Sequence, residues 1–216
     1  ATVVATDATI YRFAATGTNT SADGFYQISN AGVITITATG VASGANNFET
    51  APNSRNYGVT VLDAAGNSSS ATITLNETNV NETPVASADA YTSVEGTTTL
   101  KATVLGNDTD PDGDTLTVTQ FATTTSGSGA LVANGTNTIT TALGGTVVMN
   151  SDGTYTYTAP ARNHGDATPD IDSFAYKAND GSLDSPWTTV NITITDTNPI
   201  ANNDVDSVGI GSTVAG

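Results

Sequence analysis

Apolar and small polar residues alternate along most of the chain. The alternation is clearest in "GVITITATG" (32–40), "YGVTVLD" (57–63), "SATITLNET" (70–78), "DTLTVTQF" (114–121), "GTYTYTAP" (153–160) and "TTVNITITD" (188–196). A period of two built from Val, Ile, Thr and Tyr predicts strands with one buried face. Turn clusters such as "AAGNSSS" and "ANDG" separate these segments, and no segment carries an apolar stripe at helical spacing. The sequence therefore predicts an all-β protein made of tandem Greek-key β-sandwiches.

An internal repeat divides the chain. "PVASADAYTSVEGTTTL" from Pro84 and "PIANNDVDSVGIGSTVA" from Pro199 share Pro, Ala, Asp, Gly and Thr in register, at an offset of 115 residues. We therefore predict one sandwich over 1–82, a second over 83–197, and the opening strand of a third repeat over 198–216. The first sandwich begins where a second strand is expected, so it lacks its first strand. Segment 198–216 is a candidate donor strand for such an open edge, either within a polymer or in the next module of a longer protein.

The charge balance restricts the partners. The 216 residues include five Lys and Arg against 21 Asp and Glu, and the net charge is −16. Nucleic acid and anionic membranes are bound through clustered Lys and Arg, so neither is expected as a partner. No apolar run approaches the roughly 18 residues of a membrane span, so membrane insertion is not expected. The absence of Cys excludes disulfides and thiolate metal sites, and a hard cation is the favoured small partner.

The densest group of acids lies in "NDTDPDGDT" (107–115). In an extended chain, residues two apart face the same side, which here would gather the carboxylates of Asp108, Asp110, Asp112 and Asp114. Unpaired carboxylates at that spacing repel one another. Ca²⁺ relieves the repulsion because it accepts six to eight oxygens in a flexible geometry. An EF-hand is disfavoured, since Thr119 stands where that loop needs a bidentate Glu and Pro111 interrupts the loop.

Several longer motifs resemble a known family. "VLGNDTDPDGDTLTV" (104–118), "NSDGTYTYTAP" (150–160) and "DSFAYKANDG" (172–181) resemble the cadherin-like and VCBS-type repeats of large bacterial adhesins of the repeats-in-toxin type, over most of 84–197. "NAGVITI" (30–36), "NNFET" (46–50), "YGVTVLDAAGN" (57–67) and "NVNET" (79–83) resemble an ordinary cadherin repeat, over about 1–83. The resemblance implies an extracellular or cell-surface location and a non-enzymatic structural role.

The resemblance also implies Ca²⁺ sites at the junctions between repeats. At the first junction it assigns Glu49 as the mid-domain acid, then Asn79, Asn81 and Glu82 of the linker, Asp110 and Asp112 as the Asp-x-Asp pair, and Asp180 as the later single Asp. At a second junction it assigns Asp196, Asn198 and Asp204, and it leaves Asp63 and Asp7 facing whatever precedes the chain. Asn79 and Glu82 stand where the family linker has Asp, and Pro199 interrupts the second linker. Fewer or weaker ions than in a full cadherin site are therefore expected.

Catalysis is not expected. The only His, His164, lies in a polar loop without a nucleophile elbow, and the pair Asp170 and Asp172 lacks the aromatic platforms of a glycosidase cleft. We assign Asp152, Asp170 and Asp172 to turns. Three functions remain open: a calcium-rigidified module of an adhesin or surface fibre, a filament subunit that exchanges its last strand with identical subunits, and a module whose loops bind surface glycans.

Overall fold

The structure, a computed structural model, describes residues 1–162 and 170–196. It divides into two compact units, unit 1 covering Ala1–Glu82 and unit 2 beginning at Thr83. Strands make up nearly all the regular structure, which confirms the predicted all-β fold of cadherin-like sandwiches. In the described ranges no helix is long and apolar enough to cross a membrane. His164, Asn198, Asp204 and the segment 198–216 lie outside the described residues.

Unit 1 is built from two small sheets. Its strands are β1 (Ile10–Phe13), β2 (Tyr26–Ile28), β3 (Ile34–Ile36), β4 (Ser54–Leu62) and β5 (Ser68–Asn76). One sheet has the order β1-β4-β5, and β2 and β3 form an antiparallel hairpin. The first residues of the chain extend this hairpin, because Val3 N–H donates to Gly32 O and Ile34 N–H donates to Ala1 O, both at 2.8 Å. Unit 1 therefore has a paired strand segment before β1.

The core of unit 1 follows from the alternation in these strands. Tyr11, Phe13, Ile28, Ile34 and Val59 are buried together, and the Phe13 and Tyr57 rings meet edge to face at 5.6 Å. Such contacts add to the gain from removing apolar area from water.

The strand predicted over 32–40 ends early, at Ile36. A five-residue helix, α1, follows it over Ala38–Ala42. Thr37 caps this helix: its Oγ1 accepts the N–H of Gly40 at 3.0 Å and donates to Gly24 O at 2.6 Å. Gly40 is required on the next turn, since a Cβ there would lie 2.5 Å from Phe25 O.

Unit 2 is a larger sandwich of two sheets. Its strands are β6 (Asp89–Val94), β7 (Thr98–Lys101), β8 (Thr117–Ala122), β9 (Leu131–Val132), β10 (Thr138–Thr140), β11 (Thr146–Met149), β12 (Tyr155–Thr158), β13 (Asp170–Asn179) and β14 (Thr188–Thr195). One sheet has the order β6-β14-β13-β8-β9 and the other β10-β11-β12-β7. β6 runs parallel to β14, and the other neighbours are antiparallel.

Aromatic side chains from both sheets fill the core of unit 2. Tyr155, Tyr157 and Tyr176 are each 0% exposed, and the rings of Tyr155 and Phe174 meet edge to face at 5.2 Å. Alternation in "GTYTYTAP" therefore buries the tyrosines and leaves the threonines on the outer face.

The turn assignment was wrong for Asp170 and Asp172 and correct for Asp152. Asp172 is 1% exposed on β13, whereas its neighbour Ile171 is 62% exposed. Asp170 also lies on β13 and pairs with Arg162, whose Nε is 2.7 Å from its carboxylate. Asp152 lies in the turn between β11 and β12, where its Oδ1 accepts the Thr154 N–H at 2.9 Å.

Candidate metal centre

The acidic run forms a loop at the start of unit 2, between a 3₁₀ turn (Val104–Asn107) and β8. Thr103 caps the turn through the N–H of Leu105, 3.1 Å from its Oγ1. Thr109 then pairs with Val85 through two backbone hydrogen bonds, of 2.8 and 3.0 Å. The loop is thus held at its N-terminal end by capping and backbone bonds, and it leads into β8 at its C-terminal end.

Asp110 organises the loop. Its Oδ1 accepts the N–H of Asp112 at 2.9 Å and that of Asp114 at 3.3 Å, while its carbonyl accepts the N–H of Gly113 at 3.1 Å. Gly113 has φ +77°, a conformation that glycine adopts without strain. This is an Asx-type turn and not the extended strand assumed from the sequence. The second oxygen of Asp110, Oδ2, is buried and has no hydrogen-bond partner in the described part of the chain.

Three carboxylates converge on this turn. Asp110, Asp112 and Asp114 each offer one oxygen, and these oxygens lie within 4.8 Å of one another. Two ligands on opposite sides of a Ca²⁺ ion, each at about 2.4 Å, are separated by about 4.8 Å. Asp110 and Asp112 are partly buried and Asp114 is exposed, so the group opens to solvent on one side. The spacing and the all-oxygen donor set fit a calcium ion with water completing its shell.

Asp108 has other neighbours. Its carboxylate accepts the N–H of Ser87 at 2.8 Å and the hydroxyl of Tyr176, whose oxygen is 2.8 Å from Oδ2. Burial raises its pKa, and these two hydrogen bonds oppose that effect. Asp108 therefore joins the loop to the tyrosine of β13, and its predicted place in the shell of an ion stays a prediction.

Asp89 is an acid that the sequence reasoning missed. Burial, with the nearby Asp108 carboxylate adding to it, raises the pKa of Asp89 to about 6, and its Oδ2 is buried without a hydrogen-bond partner among the residues that the structure describes. The repeat carried a signal for this residue, because Asp204, which was assigned to an ion, matches Asp89 at the 115-residue offset.

Replacing Asp89 with Asn (D89N) is expected to stabilise unit 2 at neutral pH. The folded pKa lies above the ordinary value of 3.8, so the folded state binds more protons than the unfolded state between these values. The free energy of unfolding therefore falls as pH rises from about 4 to 6. Because Asp89 is only partly buried and water screens its charge, D89N should raise it at pH 7 by less than the full shift implies, about 1–2 kcal/mol, and flatten this part of the profile. Urea unfolding in EDTA at several pH values measures both, and an unchanged slope would contradict the expectation.

The other ligands predicted for the two junctions lie away from this loop where the structure describes them. In unit 1, one carboxylate oxygen of Glu49 and one of Glu82 lie within 4.8 Å of each other. Asn79 and Asn81 of the segment leading to Glu82 are exposed, and Asn81 Nδ2 donates to Glu82 O at 3.3 Å. In unit 2, Asp180 caps the turn between β13 and β14, where its Oδ1 accepts the N–H of Ser182 and of Leu183. Asp196 is exposed after the end of β14.

Asp63 and Asp7 come together in unit 1. Both line a cavity of about 260 Å³ beside the turn between β4 and β5. The Asn67 side chain donates to Asp63 Oδ2 at 2.8 Å, and this bond, with backbone N–H groups on Oδ1, holds the pKa of Asp63 below its usual value. Asp63 thus has a turn-capping role that the structure shows and a metal role that remains a prediction.

The chain belongs to the bacterial cadherin-like domain family. The sequence pattern of that family matches residues 81–197, more than half of the chain. This confirms the resemblance found from the motifs of unit 2. No curated protein is significantly similar in sequence.

Solved structures that are partly similar to this chain include cadherin ectodomains. Drosophila N-cadherin EC1-4 is 13% identical with a TM-score of 0.43, over 87% of this chain and 40% of that one. Human CDH23 EC21-23 is 16% identical with a TM-score of 0.45, over 90% of this chain and 67% of that one. A nucleoside hydrolase-related protein from Saccharophagus degradans is 15% identical with a TM-score of 0.33, over 53% of this chain and 26% of that one. The chain thus spans about a quarter of the Saccharophagus degradans protein and about two fifths of the Drosophila N-cadherin chain.

Proposed function

We propose that this chain is a non-enzymatic structural module of an extracellular adhesin or surface fibre, and that Ca²⁺ stiffens the connection between its neighbouring repeats. Cadherin-like domains are typically non-catalytic and typical of extracellular proteins, which supports the coarser part of the proposal. The observation that carries the calcium part is the group of Asp110, Asp112 and Asp114, in which a buried oxygen of Asp110 has no hydrogen-bond partner within residues 1–162 and 170–196.

The repulsion among the loop's carboxylates favours a bound cation over a site without one. Two of the three carboxylates are partly buried, so water screens their mutual repulsion less than on an open surface. Backbone N–H groups occupy only Oδ1 of Asp110 and leave Oδ2 for a cation. In unit 1 the paired oxygens of Glu49 and Glu82 present the same kind of repulsion, which a cation between repeats would also relieve.

Calcium should raise the melting temperature and reduce bending. At a free Ca²⁺ concentration 100 times the dissociation constant, an ion bound only by the folded state adds about 2.7 kcal/mol of stability, which corresponds to about 10 °C for a domain of this size. Calorimetry in Ca²⁺ and in EDTA measures the shift, with Mg²⁺ at equal concentration as the control ion. Small-angle X-ray scattering on the same samples gives the distribution of interatomic distances. In Ca²⁺ this distribution should be that of a stiffer molecule than in EDTA. Identical melting and scattering in Ca²⁺ and EDTA would refute the proposal.

A further inference from the structure

In the described part of unit 2, the first and last strands lie side by side and run in the same direction. β6 pairs with β14 in parallel over six residue pairs, from Asp89 opposite Val190 to Val94 opposite Thr195. The chain therefore enters this pair at one end, at Asp89, and leaves it at the other end, after Thr195. These two ends are about 17 Å apart, since each residue advances a strand by about 3.3 Å.

This geometry decides how the pair responds to tension along the chain. When the two ends are pulled apart, β6 and β14 must slide past each other, so the hydrogen bonds of the ladder are loaded together. The bonds of a parallel ladder are evenly spaced, which distributes the load along its whole length. In an antiparallel pair, the chain would enter and leave at the same end, and the bonds would be loaded and broken one after another.

The ladder between β6 and β14 is the place where such a load is resisted. β6 is at the edge of its sheet, and β14 is its only strand neighbour within the ranges that the structure describes. β14 is anchored on its other side by seven residue pairs with β13, and its inward side chains Val190, Ile192 and Ile194 are 0% exposed. Separating β14 from β13 would expose this apolar surface to water, so β6 is the strand expected to detach first.

The segment that leads into β6 is tied down as well. Val85 exchanges two backbone hydrogen bonds with Thr109, of 2.8 and 3.0 Å. The N–H of Ser87 donates to the Asp108 carboxylate at 2.8 Å, and the Tyr176 hydroxyl donates to the same carboxylate at 2.8 Å. Tension that enters unit 2 meets these bonds before it reaches β6.

We propose that the β6–β14 ladder, residues 89–94 with 190–195, is a mechanical clamp that carries tension through unit 2 and sets the force at which this unit unfolds. The inference rests on the proposed function, because a module of an adhesin or surface fibre is placed under tension. It goes beyond that function because the clamp needs no ion: Asp110, Asp112 and Asp114 lie outside both strands.

The direction of pulling tests the clamp. The chain has no Cys, so two introduced Cys residues define where force is applied to the full chain. Thr83→Cys with Asp196→Cys loads the ladder in shear, whereas Val94→Cys with Asp196→Cys pulls at neighbouring ends and peels β6 from β14. All three positions are exposed. At the same constant force in optical tweezers, the sheared unit should stay folded at least about tenfold longer, because several hydrogen bonds must break together.

Removing one bond of the ladder is the second test. The N–H of Glu95 donates to Thr195 O at 3.0 Å, directly after β6. Glu95 precedes Gly96, which has φ +63°, in a turn closed by the Thr97 N–H on Val94 O. Proline is favoured at this position of such a turn, so Glu95→Pro deletes the bond and keeps the turn. In shear, it should shorten the folded lifetime by about fivefold relative to Glu95→Ala, the matched control, which keeps the N–H.

Circular dichroism and Trp187 fluorescence first establish that each variant is folded, and the two pulling directions need no proline variant. Equal lifetimes in the two directions would overturn the clamp, as would equal lifetimes of Glu95→Pro and Glu95→Ala in shear. Each measurement is made in EDTA and in Ca²⁺. A difference between directions in EDTA, with melting and scattering unchanged by Ca²⁺, would support the clamp and contradict the calcium part of the proposed function. Equal directions with a calcium-dependent melting temperature would do the reverse.

Discussion

Replacing Asp172 with Ala should destabilise unit 2 by about 3–4 kcal/mol. The Asp172 carboxylate accepts four hydrogen bonds inside the sandwich: the N–H of Ser173 at 2.9 Å, that of Leu143 at 3.4 Å, the Tyr157 hydroxyl at 2.7 Å, and the Thr141 hydroxyl. Removing this shared acceptor leaves the buried Tyr157 hydroxyl without its bond, and such a loss costs more than an exposed bond is worth. A domain stable by 5–15 kcal/mol would lose a large fraction of its stability.

Urea unfolding followed by Trp187 fluorescence measures this loss. Trp187 is the single tryptophan of the chain and belongs to unit 2, so its signal reports on that unit. Asp152→Ala is the matched control, because it removes an Asp whose hydrogen bonds lie in an exposed turn, and it should cost less than about 1 kcal/mol. Equal costs for the two variants would show that the bonds to Asp172 have no special role.

Replacing Asp110 with Asn should weaken calcium binding at least tenfold while leaving the loop folded. Asn keeps a side-chain oxygen to accept the N–H of Asp112 and Asp114, as Asp110 Oδ1 does now. It replaces the buried Oδ2 with an NH₂ group, which donates hydrogen bonds and cannot bind a cation. A tenfold loss corresponds to about 1.4 kcal/mol, and most of the calcium-dependent rise in melting temperature should disappear.

Without calcium, the same substitution should not lower the stability of unit 2. Removing one of three neighbouring carboxylates reduces their repulsion, so the variant in EDTA should be as stable as the unchanged chain or slightly more stable. Calorimetric titration with Ca²⁺ and melting in EDTA together distinguish lost binding from lost folding. Asp152→Asn is the control, since Asp152 has similar turn bonds and lies outside the cluster. Normal calcium binding by the Asp110→Asn variant would show that Asp110 is not a calcium ligand.

Local patterns predicted several of the strands, but the sequence reasoning assigned Asp170 and Asp172 of β13 to turns. In β13, Asp172 lies between Asp170 and Phe174 at a spacing of two, and the alternation alone already places it on the face of Phe174 and Tyr176. Residue type argued against that placement, since an Asp is rarely fully buried. The deciding factor was a set of hydrogen-bond donors from Thr141, Leu143 and Tyr157, which lie 15 to 31 residues away.

The run of acids shows the same limit. From the sequence, four carboxylates two residues apart formed one group. In the structure, three are grouped around the Asp110 turn, and Asp108 is bound by Ser87 and Tyr176, which lie 21 and 68 residues away. The pairing of Thr109 with Val85 separates the two parts, and no local pattern shows that pairing.

The sequence by itself determined the all-β class, the family and the repeat, because strand periodicity, turn residues and recurring motifs are local properties. It also located the loop with the candidate metal ligands, because charge density is visible without a structure. Only the tertiary structure decided that one oxygen of Asp110 has no hydrogen-bond partner among the described residues and that Asp172 is buried. Each of these depends on which distant residues supply hydrogen bonds or cover a surface, and the folded chain alone brings those residues together.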